Sequence, residues 1–301
     1  MILINHSDLN ITGLKPKMLE FPDGEFKVVL DNVPEDDTYI IIVKTDSNPT
    51  KLIFVTMMLV DIVKMRNPKR IVVVHPWLSF SRQDKRFIET EPLSLEIVLS
   101  LYKEMGVTDL IACDIHAIQF REPGIHDWHG LKLHNVNIIK YFYQKGDNVM
   151  SPTGEEEPFL KPIREAGADI IYFDKKKICK KCNKALQDCT CEGKIDKDVI
   201  LIPKRPIKGK NALILDDIIS GGGTMLTCIT TIKEAGIENI KIAATHGFFQ
   251  GEKSLDILKE KKIVISNTLV PKISQMTFKN LEIFDISPVL EKYIKTTFNI
   301  C

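Results

Sequence analysis

The chain has 301 residues, of which 44% are hydrophobic, enough to bury the cores of two domains of ordinary size. Its 41 Lys and Arg against 40 Asp and Glu leave a formal net charge of +1, so global charge points to neither a nucleic acid nor a membrane surface as partner. The opening MILINHSDLN lacks the basic and apolar stretches of a signal peptide, and the longest nearly apolar run, 52–63, contains Asp61 and is too short for a bilayer; the expectation is a soluble cytoplasmic protein.

In chain order, the first signal is Phe21-Pro22-Asp23-Gly24-Glu25-Phe26-Lys27-Val28. Pro-Asp-Gly marks a turn and the alternation after it suggests a strand, so the stretch alone reads as a hairpin. Strands are predicted at 39–43, 71–74 and 109–112, with helical spacing at 51–65 and 93–105 between them. After the second of these strands, Arg82, Gln83, Asp84, Lys85 and Arg86 form a polar loop. Arg forks onto phosphate oxygens and Gln bonds a base edge, although a solvated charged loop fits such a run as well. After the third comes Cys113-Asp114-Ile115-His116, and a histidine beside Asp114 where a parallel strand ends is a candidate for a metal or phosphate contact.

In the second half, strands are predicted at 170–173, 212–215, 240–244 and 263–266, and helical segments at 162–166, 224–235 and 255–259. Alternating strand and helix predicts an α/β fold of two units, each a mainly parallel sheet flanked by helices, with ligands at the carboxyl ends of the strands. The boundary falls near 146–151, giving an N-terminal domain 1–147 and a C-terminal domain 148–301. Lys175, Lys176 and Lys177 leave the end of the 170–173 strand as a loop; three cations suit charge developing in phosphoryl transfer, or form a solvated charge run. Seven cysteines are an odd number, and Cys179, Cys182, Cys189 and Cys191 fall within thirteen positions of an insertion, 178–197. That favours a reducing compartment and a structural zinc over disulfides, the plain alternative being exposed thiols on a mobile loop.

The most ordered motif is Asp216-Asp217-Ile218-Ile219-Ser220-Gly221-Gly222-Gly223-Thr224, which joins a strand end to a helix start. A helix N-terminus suits a phosphate, and glycines let the backbone approach it. The two carboxylates can accept from vicinal hydroxyls, directly or through a cation. Phosphate and vicinal hydroxyls together describe a ribose 5-phosphate unit.

Taken together, Phe21-Pro22-Asp23-Gly24-Glu25, Arg82-Gln83-Asp84, Glu91-Pro92-Leu93-Ser94, Asp114-Ile115-His116-Ala117, the Asp216–Thr224 run and Ala244-Thr245-His246-Gly247 make the chain resemble the ribose-phosphate pyrophosphokinases over nearly its whole length. The resemblance implies two phosphoribosyltransferase-like domains and Mg²⁺-dependent transfer of the diphosphoryl group of ATP to the C1 hydroxyl of ribose 5-phosphate. By the family pattern, Phe21, Asp23 and Glu25 reach the adenine of ATP at a neighbouring subunit, which implies a homo-oligomer, a dimer at least and up to a hexamer. Arg82, Gln83 and Asp84 would hold ATP, and His116 would lie at the Mg²⁺ and phosphates. Asp216 and Asp217 would bind the ribose hydroxyls, and Ser220, Gly221, Gly222, Gly223 and Thr224 would surround the 5-phosphate. Lys175 and Lys177 fall where the family's mobile catalytic loop begins.

The departures lie mainly in the second half. Thr153 stands where the family carries an Asp, with Glu155 or Glu156 as possible substitutes, and Gly221 stands where it carries a Thr. The loop's usual arginines are lysines, and 122–135 is unusually rich in His and Trp. These differences keep open the same chemistry on a nucleotide-linked ribose such as ADP-ribose, with His126 or Trp128 stacking on its distal base, and a catalytically inactive regulatory homologue. A phosphoribosyltransferase consuming the product shares the Asp-Asp loop but not the first two motifs.

Overall fold

The computed structural model describes residues 1–44, 48–153, 157–182, 184–191, 197–260, 262–269 and 279–299. The chain divides into unit 1, Met1–Ile138 with Ser266–Pro271 and Phe284–Cys301, and unit 2, Ile139–Ile265 with Lys272–Ile283.

Unit 1 opens with β1 (Ile2–His6) and a hairpin of β2 (Lys17–Glu20) and β3 (Phe26–Val29), followed by β4 (Thr38–Val43), α1 (Pro49–Lys64), β5 (Arg70–Val74), α2 (Ser94–Met105), β6 (Asp109–Cys113), β7 (Gly124–Trp128) and β8 (Leu131–Val136). Six described strands form one sheet in the order β1-β4-β5-β6-β8-β7, parallel except for β7 against β8. The unbroken apolar runs of β4 and β5 are what a strand covered on both faces requires, and Tyr39, Ile40, Ile41, Ile42, Val72, Val73 and Val74 are all fully buried. Helix α1 starts where Asn48 Oδ1 accepts from the N–H groups of Thr50 and Lys51 and Pro49 takes the first turn. It turns Leu52, Val55, Leu59, Val60 and Val63 into the core. The β7–β8 hairpin turns at His129 and Gly130, both at positive φ, the backbone that a two-residue hairpin loop demands.

Unit 2 contains β9 (Val149–Ser151), α3 (Lys161–Glu165), β10 (Ile170–Cys179), β11 (Lys197–Pro203), β12 (Asn211–Ile219), α4 (Gly223–Glu234), β13 (Asn239–Gly247), α5 (Glu252–Glu260), β14 (Lys262–Ser266) and β15 (Leu281–Phe284). Its described strands run in the order β11-β10-β9-β12-β13-β14-β15, parallel from β10 to β14 and antiparallel between β10 and β11. Met225, Cys228, Ile229 and Ile232 recur at helical spacing on α4 and form its buried face. The last helix, α6 (Ser287–Thr297), belongs to unit 1, where Ser287 Oγ accepts from Asn10 N at 3.0 Å and the Tyr293 hydroxyl lies 3.0 Å from His134 Nδ1.

The α/β class and mainly parallel sheets expected from the sequence are what the fold shows. Among the described residues no helix is long and apolar enough to cross a membrane.

Candidate functional site

In unit 2 the sequence places Asp216 and Asp217 after a four-residue strand; the structure instead carries β12 through to Ile219, because β13 pairs with it along its whole length. Asp216 lies opposite Ala244, and Ile218 and Ile219 lie opposite His246 and Gly247, so the two acidic residues are strand residues beside the Ala-Thr-His-Gly motif. Both are buried, and Asp217 N donates to Asp216 Oδ1 at 2.9 Å. As neighbours on one strand their side chains leave by opposite faces, so each buried carboxylate needs its own donors or cation. Carboxylate oxygens suit a hard ion such as Mg²⁺.

The glycine loop follows. Gly222 is the residue before α4 and sits at φ 79°, and a Cβ there would come within 2.8 Å of Ser254 Cα and 2.9 Å of Ile257 Cδ1. Only glycine allows α5 to pack so close to the loop. Gly221 differs: it is exposed, and a Cβ would meet Gln250 O at an ordinary 3.5 Å. The segment after β13 braces the loop, with Phe248 N donating to Ile219 O at 2.8 Å and Gln250 N to Ser220 O at 2.9 Å. No side chain caps α4, so its first-turn N–H groups face the loop as an anion site would require. This brace and the Gly222 contact were not foreseen; an isolated Gly247 in an apolar strand was the signal that backbones approach closely there, since its Cβ would meet Phe249 at 2.6 Å and Ile265 at 2.7 Å.

Lys175, Lys176 and Lys177 are not a loop. They extend β10 and pair with Leu201, Ile200 and Val199 of β11, an apolar run the sequence reading passed over. Strand alternation sets Lys175 and Lys177 on one face and Lys176 on the other. Lys175 Nζ donates to Thr224 Oγ1 at 3.2 Å, which brings the predicted cation to the first turn of α4. Thr153 bonds Ser151, hydroxyl to hydroxyl at 2.9 Å, while Glu155 and Glu156 lie outside the described residues.

At the outer end of β10 the Sγ atoms of Cys179, Cys182, Cys189 and Cys191 all lie within 4.8 Å of one another. The described cysteines form no disulfide. Backbone N–H groups of Cys182 and Lys181 point at the Cys179 sulfur, and the first of these does most to bring its thiol down to about 7.

In unit 1 the predicted hairpin is present, and its turn is exposed at Phe21, Asp23 and Glu25. Phe21 N donates to Glu25 O at 2.7 Å, Glu25 N donates to Asp23 Oδ1 at 3.1 Å, and Gly24 takes φ 89°. The loops after β5 and β6 meet: Asp84 Oδ2 accepts from Ile118 N at 2.8 Å, two residues beyond the half-buried His116. Gln83 Oε1 accepts from Ser94 Oγ, while Arg82 is exposed. Asp114 is buried at φ 33° and its two oxygens accept from Asn137 Nδ2 at 2.7 Å and Ile138 N at 3.0 Å, so it acts as the pin of the His116 loop. Asn135 adds to this by accepting from Ile115 N at 3.0 Å. Neither asparagine stands out in sequence, because the group each one holds, Ile115 N and Asp114, lies 20 and 23 positions earlier in the chain.

Known proteins share the chain's sequence and fold. Residues 5–106 match the family model of the N-terminal domain of ribose phosphate pyrophosphokinase, and 196–300 match that of the phosphoribosyl synthetase-associated domain. The ribose-phosphate pyrophosphokinase of Ureaplasma parvum is 28% identical over 296 residues, covering 92% of this chain and 81% of its own. That of Pyrococcus furiosus is 28% identical over 279 residues, covering 89% and 90%. The crystal structure of phosphoribosylpyrophosphate synthetase from Mycobacterium smegmatis shares the fold with a TM-score of 0.76 at 20% identity, covering 99% of this chain and 98% of its own.

Proposed function

From the premise that the chain belongs to the ribose-phosphate pyrophosphokinase family of transferases, we propose that it transfers the diphosphoryl group of Mg-ATP to the C1 hydroxyl of ribose 5-phosphate. The products are 5-phosphoribosyl 1-pyrophosphate and AMP. The observation that carries the reading is the Lys175–Thr224 contact at 3.2 Å, which sets a cation on an uncapped helix start directly after two buried carboxylates.

In this reading Ser220 to Thr224 take the 5-phosphate on the N–H groups of α4. Asp216 and Asp217 receive the ribose hydroxyls and would hold Mg²⁺, which when bound neutralises phosphate charge. The C1 oxygen forms a bond to the β-phosphorus as the bond from that phosphorus to the α-bridging oxygen breaks, AMP leaves with that oxygen, and the hydroxyl proton passes to solvent. Little covalent work falls to the protein, so catalysis is positioning and charge neutralisation. Lys175 and Lys177, on one strand face, supply the cations. Arg82, Gln83 and Asp84 with His116 serve ATP and its phosphates, and zinc occupies the four cysteines. The exposed turn at Phe21, Asp23 and Glu25 serves the ATP of a second copy, so the active form is a homo-oligomer, working in the cytoplasm. A fully active monomer in light scattering at assay concentration would refute that assembly.

The test is a competition. Purified protein with limiting Mg-ATP and equal ribose 5-phosphate and ADP-ribose should give AMP and phosphoribosyl pyrophosphate, identified by mass. Product on ADP-ribose instead would move the acceptor to a nucleotide-linked ribose. No AMP with either would mark an inactive homologue. Gly221→Thr, which the space at Gly221 accommodates, separates the first two outcomes. It should leave ribose 5-phosphate turnover within about threefold, whereas a path for an esterified phosphate would be closed by the added side chain.

A further inference from the structure

The β10–β11 ribbon changes character along its length. β9 pairs with β10 only at Ile170, Ile171 and Tyr172. From Asp174 to Cys179 the one described strand beside β10 is β11, paired from Ile202 down to Lys197. The inner part of this two-stranded segment has an anchor, because Leu201, opposite Lys175, is buried in the unit 2 core and its carbonyl accepts from Thr231 of α4. Farther out, Asp174, Lys175, Lys176 and Lys177 are all exposed and contribute nothing to a core. Two strands alone are marginal in water, so the outer ribbon needs something else to keep its register.

What stands at that end is the cysteine cluster. Cys179 is the last residue of β10 and is buried, and its N–H donates to Lys184 O at 2.9 Å, closing a tight turn that carries Cys182. A tetrahedral zinc with Zn–S bonds of about 2.3 Å has sulfur–sulfur edges of about 3.8 Å. Cys182 and Cys189 stand 3.7 Å apart, and all four sulfurs lie within 4.8 Å. A disulfide needs about 2.0 Å, so these spacings match four ligands around one ion and not oxidised pairs. Lys175 is four residues from Cys179, about 13 Å along a strand, so an ion here is too far away to touch the reacting phosphates.

We propose that zinc held by Cys179, Cys182, Cys189 and Cys191 clamps the outer end of the β10–β11 ribbon and thereby holds Lys175 at Thr224, a positioning role and not a part in the transfer. The inference rests on the reading of Lys175 as a phosphate-side cation. In a hairpin without third-strand support, the metal replaces the missing core, as metals do in modules too small to build one. Unclamped, the ribbon frays from its tip towards Leu201 and Lys175 loses its fixed distance from α4.

The experiment uses the full chain purified without chelator. Zinc per chain is measured by mass spectrometry, amide exchange is followed across β10 and β11, and kcat and KM are measured before zinc removal, after it and after zinc is restored. Cys182→Ser with Cys189→Ser is followed in parallel. About one zinc per chain is expected. Its loss should speed exchange at 175–179 and 199–201 about tenfold while β12 and β13 keep their protection. It should lower kcat about ten- to a hundredfold with the nucleotide KM held, and zinc should reverse both changes. Absence of zinc, or exchange indifferent to it, overturns the clamp. Faster exchange with unchanged kcat overturns its link to Lys175. Zinc-dependent protection in a protein that forms no AMP would leave the clamp standing and remove the transfer reading.

Discussion

Replacing Gly222 with Ala tests whether the glycine loop is shaped by packing. The residue sits at φ 79°, where a Cβ costs about 1–2 kcal/mol in a non-glycine residue. The added methyl would also lie 2.8 Å from Ser254 Cα, 2.9 Å from Ser254 N and 2.9 Å from Ile257 Cδ1. Two of these are backbone atoms of α5, which cannot turn aside, so the helix must shift, at about 1–3 kcal/mol for an overpacked contact. The sum, about 2–5 kcal/mol, corresponds to a fall in Tm of roughly 4–20 °C for a unit of this size. Gly221→Ala is the paired control, since it has no positive φ and its nearest contact is Gln250 O at 3.5 Å; its cost should stay under about 0.5 kcal/mol. Thermal unfolding by circular dichroism measures both variants, and exchange at α4 and α5 assigns the transition to unit 2. Equal losses at the two positions, or none at Gly222, would show that the loop is not held by the contact with α5.

Two further outcomes follow from single side chains. Lys175→Met should lower kcat about 10²- to 10³-fold without loss of folded protein, whereas Lys176→Met, on the opposite strand face, should change it less than about tenfold; equal effects in steady-state kinetics would discard the face assignment. His75 is buried in unit 1, its Nδ1–H donating to Val43 O at 3.0 Å and its Nε2 accepting from the Tyr102 hydroxyl at 2.8 Å, and burial brings it down to about 4 from an ordinary 6.5. Between those values the unfolded chain binds the extra proton, so stability rises with pH, and acidification from 6.5 to about 4 should remove about 3 kcal/mol. Urea denaturation across that range should show the slope, His75→Gln should flatten it, and an imidazole titrating near 6.5 by NMR would contradict it.

Much of this molecule was legible because its signals are local. The apolar run at 39–43, the helical spacing at 51–65 and the strand–carboxylate–glycine–helix order of 211–234 are each read within one segment, where spacing determines which face is buried. The same locality marks the glycine loop as a strand-to-helix turn with two carboxylates before it. What sequence left undecided was partnership. The lysine run reads as a loop until Val199, Ile200 and Leu201 return from more than twenty residues away to pair with it. Asn135 at the end of β8 and Asn137 just after it take their meaning from the loop at Asp114. Helix α6 joins unit 1 after the whole of the 139–265 segment has folded elsewhere, through contacts such as His134 with Tyr293, 159 positions apart. The period of a pattern encodes how a segment is buried, whereas its partner is chosen by packing across long loops, whose closure no local pattern records. The sequence thus determined that a glycine loop after two carboxylates and four clustered cysteines exist, and only the tertiary structure joined them through one ribbon carrying Lys175.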